Sequence, residues 1–443
     1  MRLNKIIQRD YTSFSLYYQI KLPLDLEISI PSDDPVRLVS AFVEEMDLSE
    51  LYKTYGRIRK HQATPRQMLK LVIYAAMNRI YSSRDIKKAC KRDINFMYLL
   101  EGMPAPDHAT IARFISLHFS VCAKALLAQM SDLLYLLGEI SGKTIFIDGT
   151  KIESVANKYT FVWKRAITKN QVRLYTKLSS FVAECEELYG IKMVYHDRIS
   201  IHTLKRLKKQ LCRIKVREGI VFVHGIGRRK TQLQKSLEQL DQYLEKLKEY
   251  TKKLYTLGDR NSYSKTDPDA TFMRMKEDAM LNGQLKPAYN IQHGVDSEYI
   301  TWLDISSHPT DTCTLIPFLK DMDRYLGFKY SEIVADAGYE SEENYLFIEK
   351  NGQTAYIKPQ NYEISKTRKY KKDISRRENM EYHADSDSYI CRNGRELIAT
   401  NERRSKTVSG YVSIKTYYRS PDCTGCPYKT ECIKGNNCKT PME

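Results

Sequence analysis

No stretch of the 443 residues approaches the ~20 uninterrupted apolar positions that a membrane-crossing helix needs. The opening residues, Met1 to Asp10 (MRLNKIIQRD), contain no apolar core of the kind an export signal carries. These two absences give the expectation of a cytoplasmic protein with no membrane partner. In that compartment its ten cysteines are thiols or metal ligands and not disulfides. Acids are scarce beside bases, 54 Asp and Glu against 71 Lys and Arg, and the formal charge of +17 favours a polyanionic partner, nucleic acid before membrane surface. Gly225 to Lys230 (GIGRRK) has half the look of a nucleotide loop but lacks the strand–GxxxxGK–helix setting, so it reads as a basic turn. What is present is enough for real cores: 42% of residues are hydrophobic, over a length that suits about two to three domains.

Two segments share one grammar. Ile333 to Ala335 reads as a short buried strand ending at Asp336, with Gly338 for a sharp turn and Ser341 to Glu343 opening a helix. Lys143 to Gly149 is a second apolar strand, ending in Asp148 and Gly149. Ligands of an open α/β sheet gather at the carboxyl ends of its strands, so neighbouring strands of this kind would converge two carboxylates on a Mg²⁺-type site. Either Asp alone would equally be an ordinary turn residue.

Before these segments the pattern is helical. A helix is expected over Val36–Met46. Thr64 to Gln67 forms a capping box with Pro65 at the first helical position, Ser83 can cap a second helix and Asp107 a third. Short basic helices with tight turns fit a helix-turn-helix style of DNA-binding module, or a helical domain that only packs; no base-reading residues stand out. Between the two Asp segments, Leu233, Leu237, Leu240, Leu244, Leu247, Thr251 and Leu254 follow a 4-3 spacing closed by Gly258. That seam predicts an αα-hairpin with the basic helix around Ile201–Ile214, or pairing with another protomer. Ala288–Asp296 and Tyr299–Ile305 read as antiparallel strands, Asp311–Leu326 as an amphipathic helix, and Thr354–Pro359 as a further strand. Beyond Pro359 the chain looks basic and broken. Cys423, Cys426, Cys432 and Cys438 suit a tetrahedral structural Zn²⁺, with Cys391 able to substitute; the alternative is a set of reduced thiols.

Several motifs then resemble, in order and spacing, those of bacterial insertion-sequence DDE transposases with a long helical insertion after the first catalytic strand and a late Cys-rich segment. They are PDHATIARF at Pro106–Phe114, IDGTKIES at Ile147–Ser154, SKTDPDA at Ser264–Ala270, YNIQ at Tyr289–Gln292, ADAGYES at Ala335–Ser341, and the closing cysteines. The resemblance implies an α/β fold with a ribonuclease-H-like mixed sheet. It places a helical DNA-binding domain at 1–140, the catalytic core at 141–360 with its insertion at 155–260, and a basic Cys-rich zinc segment at 361–443. It puts the first two catalytic aspartates on Asp148 and Asp336, holding Mg²⁺ or Mn²⁺. The implied partners are double-stranded DNA, as terminal inverted repeats and target, and a second copy in a homodimer; the implied setting is the cytoplasmic nucleoid. The family's third acid is a Glu on a helix after the cysteines, and no such helix precedes Glu443, so a C-terminally truncated chain is expected. Glu153 and Glu431 are the nearest substitutes and lack the helical context. The competing expectation is a catalytically inactive DNA-binding relic or an inhibitor of full-length transposase. A zinc nuclease is disfavoured because an all-Cys site leaves no position for water.

Overall fold

The computed structural model describes residues 30–58, 60–195, 198–225, 227–275, 283–407 and 409–433; Cys438 and the first part of the lead-in lie outside them. The chain divides into two compact units, Met1–Ile140 with Tyr325–Phe328, and Ser141–Arg324 with Lys329–Glu443.

The first unit is helical: α1 (Pro35–Glu45), α2 (Ser49–Lys53), α3 (Pro65–Met77), α4 (Ser83–Arg92), α5 (Ile94–Leu100) and the long α6 (His108–Leu136). The box at α3 forms as its sequence dictates, Thr64 Oγ1 accepting from Gln67 N and Gln67 Oε1 from Thr64 N. Ser83, expected as a cap, is instead the first helical residue; the cap position is Ser82, whose side chain makes no capping bond. Leu69, Phe96, Leu99, Ile111 and Phe114 lie in one core. Lys70, 1% exposed, is held there by Glu44 at 2.6 Å and Glu101 at 2.8 Å. Burial pushes its ammonium down, and the two carboxylates outweigh that and raise it.

By length and composition alone α6 could cross a membrane, although polar residues interrupt its apolar run. Its Ile111, Phe114, Cys122 and Leu126 belong to the unit's core, whereas Leu117, Val121 and Leu136 are exposed. A π-helical turn over Phe114–Phe119 interrupts it.

The second unit is built on a mixed sheet of β1 (Thr144–Glu153), β4 (Thr271–Arg274), β5 (Leu285–Asp296), β6 (Tyr299–Ser306), β7 (Glu332–Ala335) and β8 (Thr354–Ile357). The strand β5 lies between β1 and the β4/β6 side, antiparallel to all three; β7 is parallel to β1, and β8 is parallel to β7. Taking β1, β5, β6, β7 and β8 as first to fifth, the order across the sheet is 3-2-1-4-5, and the architecture resembles ribonuclease H. Between β6 and β7 runs α10 (Leu315–Tyr325), shorter than the helix expected from Asp311, because Asp311–Cys313 forms a separate 3-10 turn. The helix α11 (Glu342–Lys350) starts where expected, Ser341 Oγ accepting from Asn344 N.

The insertion leaves after β1 and returns ahead of β4 through a neck in which β2 (Phe161–Trp163) pairs with β3 (Ser262–Ser264). Above the neck stand α7 (Lys164–Tyr189), α8 (Ile201–Arg217) and α9 (Gln232–Leu257). The leucine seam of α9 is buried at Leu233, Leu237, Leu240, Leu244 and Leu247 against Leu204, Leu207 and Leu211 of α8, so the expected intramolecular pairing forms. Leu174, Leu178, Phe181 and Val182 of α7 complete the core, making three helices where the seam alone suggested two.

The region read as broken after Pro359 carries a second sheet, ordered β12-β11-β10-β9: β9 (Glu381–His383), β10 (Ser388–Ile390), β11 (Glu396–Lys406) and β12 (Val412–Arg419).

Candidate active site

The expected strand end at Asp148 is not an end. The strand β1 runs on to Glu153 because β5 pairs along it, Asp148 opposite His293 and Gly149 opposite Gln292. What stops at this level is the pairing with β7: Ile147 is the last residue in register, opposite Ala335. Asp148 and Asp336 therefore follow equivalent positions on adjacent parallel strands, which lie ~4.8 Å apart. Both are exposed.

A third carboxylate stands with them. Asp311, at the start of the 3-10 turn after β6, receives Asn290 Nδ2 on Oδ1 at 2.7 Å, and Gln292 Nε2 reaches the same oxygen at 3.4 Å. Asn290 and Gln292 are fully buried on β5 and bond to each other at 3.0 Å. Tyr339 donates its hydroxyl to Gln292 Oε1. Burial first, then the charges of Asp311, Asp148 and Asp336, push the Tyr339 phenol far up, so it remains a donor. This is the clearest electrostatic sign that the three aspartates share one site.

Gly149 shows how tightly that site is built. Its φ is not positive, so backbone freedom does not explain it. A Cβ there would lie 2.9 Å from Asp311 Oδ1 and from Gln292 Nε2, and 3.1 Å from the Tyr339 hydroxyl. A Cβ on Gly338 would likewise meet Asp336 Oδ1 at 3.0 Å and Asp311 Oδ2 at 3.3 Å. Two missing side chains thus leave the cradle into which Asp311 fits. Asp148 Oδ1 is occupied by Gly149 N at 2.8 Å and Asp336 Oδ1 by Gly338 N at 2.9 Å. Among the described residues, Oδ2 of all three aspartates takes no hydrogen bond. Oxygen donors of this kind suit a hard divalent cation. Among the described residues, however, no three His, Cys, Asp or Glu side chains already stand at metal-holding geometry.

The motifs beside the site meet at Asp267, which accepts from Ser154 Oγ at 2.5 Å and from the Tyr289 hydroxyl at 2.8 Å. Burial raises the Asp267 carboxyl, and these hydroxyls with the backbone N–H groups of Asp269 and Ala270 outweigh it and hold it low. Its partner Tyr289 is pushed up to about 12, by burial and then by Asp267. Segments 147–154, 264–270 and 289–292 are thereby one bonded unit at the edge of the site.

The two nearest substitutes in sequence terms, Glu153 and Glu431, make no hydrogen bond or ion pair with the groups around the three aspartates among the described residues. Glu153 ends β1 five residues beyond Asp148, ~17 Å along an extended strand, and is paired with Lys286 at 2.7 Å. Glu431 lies in a short helical turn beyond the second sheet. Asp311 was missed because an acid opening a helix is unremarkable in sequence. The signal available was the pairing of Asn290 and Gln292, two polar residues that point to one face of a strand.

Of the cysteines, Cys423, Cys426 and Cys432 line a cavity of about 20 Å³ together with Cys391. Arg395 links the two loops, donating to the carbonyls of Asp422 and Thr424. None of the described cysteines is in a disulfide, and among the described residues no three of them stand at metal-holding geometry.

Residues 24–117 match a family described as a transposase domain (DUF772), and residues 260–419 match a family described as a transposase DDE domain. The second match takes in Asp311 and Asp336 and leaves Asp148 before it. No curated protein and no solved structure matches the chain.

Proposed function

The chain belongs to the DDE-type transposases, and from that membership we propose that it cleaves and transfers DNA strands at the terminal inverted repeats of an insertion sequence. The observation that supports this reading is the meeting of Asp148, Asp311 and Asp336 around Gly149 and Tyr339, each with one carboxylate oxygen unengaged. Asp148 and Asp336, with Asp311 as a third carboxylate, would hold Mg²⁺ or Mn²⁺. Such ions polarise a phosphoryl oxygen and lower the pKa of attacking water. Asn290 and Gln292 fix the Asp311 carboxylate, and Tyr339 holds Gln292 in turn. No covalent intermediate with the protein is required, which fits a site without Ser or Cys among these groups. The helical N-terminal unit would bind the element ends, and a homodimer would bring two ends together on nucleoid DNA in the cytoplasm. The cysteine-lined loops would carry a structural Zn²⁺, which plays no part in the chemistry.

The test uses the full chain and plasmid DNA carrying the sequences that flank its own gene. Mg²⁺- or Mn²⁺-dependent nicking is expected, reduced by more than ~100-fold in Asp148→Asn and in Asp336→Asn. Mn²⁺ binding followed by electron paramagnetic resonance should weaken in the same variants. Nicking by Asp148→Asn at the unmodified rate would remove the enzyme reading. Tight DNA binding with neither nicking nor Mn²⁺ binding would favour the inhibitor reading instead.

A further inference from the structure

We infer that the two-stranded ribbon β11–β12 is a DNA-gripping arm of the catalytic unit, one of its faces lying against the phosphates of a duplex. The inference rests on the proposed action on DNA and assigns it a surface. The strand β11 is eleven residues long, ~37 Å when extended, and from Ile398 outward every described residue of it is exposed. The register puts Arg403 opposite Lys415 and Ser405 opposite Ser413, so these four share a face, with Tyr417 and Arg419 continuing it along β12. From Asn401 outward that face carries no acid; Glu402 points to the other side, with Val412 and Ile414.

No ion pair and no side-chain hydrogen bond engages Arg403, Lys415 or Arg419 among the described residues. By contrast many exposed cations elsewhere in the chain are paired, such as Lys208 with Asp241 and Lys230 with Glu238. Unneutralised cations beside hydroxyls and a tyrosine have the composition of a phosphate-contacting surface. A two-stranded ribbon also has the width that a DNA major groove admits.

The ribbon is held at both ends. At its root Leu397 is buried and Arg395 ties β11 to the loop after β12. At its tip Ser409 Oγ donates to Glu343 Oε2 at 2.7 Å and the Tyr411 hydroxyl to Glu342 Oε1 at 2.8 Å. Those glutamates open α11, which begins six residues after Asp336. The arm therefore ends beside the helix that leaves the proposed catalytic centre, where DNA held for cleavage must pass.

The experiment compares full-length protein with the triple variant Arg403→Gln, Lys415→Gln, Arg419→Gln. A control, Lys205→Gln, Lys209→Gln, Arg213→Gln, removes the same charge from the exposed side of α8. Binding to a labelled 30-base-pair duplex is read by fluorescence anisotropy over a salt series. The ribbon variant is expected to bind at least ~10-fold more weakly, with the slope of log K against log salt shallower by about two to three, and the control is expected to change far less. Restoring charge with Arg403→Lys, Lys415→Arg and Arg419→Lys should restore the slope. Equal weakening in both Gln variants would reduce the effect to net charge and overturn the assignment. Unchanged binding by the ribbon variant would overturn it too, leaving the proposed function standing. Failure of the unmodified chain to bind any duplex would bring down both.

Discussion

Gly149 is a residue whose importance lies in the atoms it lacks. Alanine there would push against the ends of two side chains, Asp311 and Gln292, that are hydrogen-bonded to Asn290 and could give way only by breaking those bonds. Gly149→Ala should destabilise the second unit by about 1–3 kcal/mol and displace Asp311 from Gln292. Thermal unfolding of the variant checks the first effect, and loss of Mn²⁺ binding without loss of DNA binding checks the second. A variant as stable as the unmodified chain would show that the cradle is slack. Asp148 and Asp336 stood out in the sequence because each comes directly after a short apolar run. Asp311 did not, because its place depends on two amides brought across from β5 by strand register, which no local pattern records.

Among the elements, α9 announces itself most clearly, its leucines recurring at the spacing of a helical seam and every one from Leu233 to Leu247 buried. Leu240, fully buried between α7 and α8, should cost about 2–5 kcal/mol on replacement by alanine. Hydrogen exchange should show the loss confined to α7, α8 and α9, and protection lost equally in β1 and β5 would contradict an insertion with its own core. The strand β11 is the opposite case. A strand with almost no buried face has no alternation of apolar and polar residues, so the period that identifies strands is absent and basic composition alone shows through. Strand β1 fails differently: the Asp-Gly pair carried turn chemistry, and pairing with β5 overrode it.

For the whole molecule, the helical first unit, a mixed sheet and a helical insertion after its first strand were readable, because long periodic elements leave their period in the sequence; the order of the strands across the sheet was not. The cysteine region tests a different kind of prediction. If Zn²⁺ is bound there, purified protein should release about one zinc ion per chain to a chelator, and proteolysis should then open residues 381–433 while the first unit stays resistant. Protein isolated without zinc and equally resistant would refute the metal. The paired neck β2–β3 has a consequence of its own. Because the chain enters and leaves the three-helix insertion at two strands bonded side by side, the insertion is a cassette spliced into a continuous sheet. Its helices can lengthen, shrink or be exchanged between relatives while the distance the sheet must bridge stays the same, so evolution can rework that part without disturbing the register that aligns the aspartates.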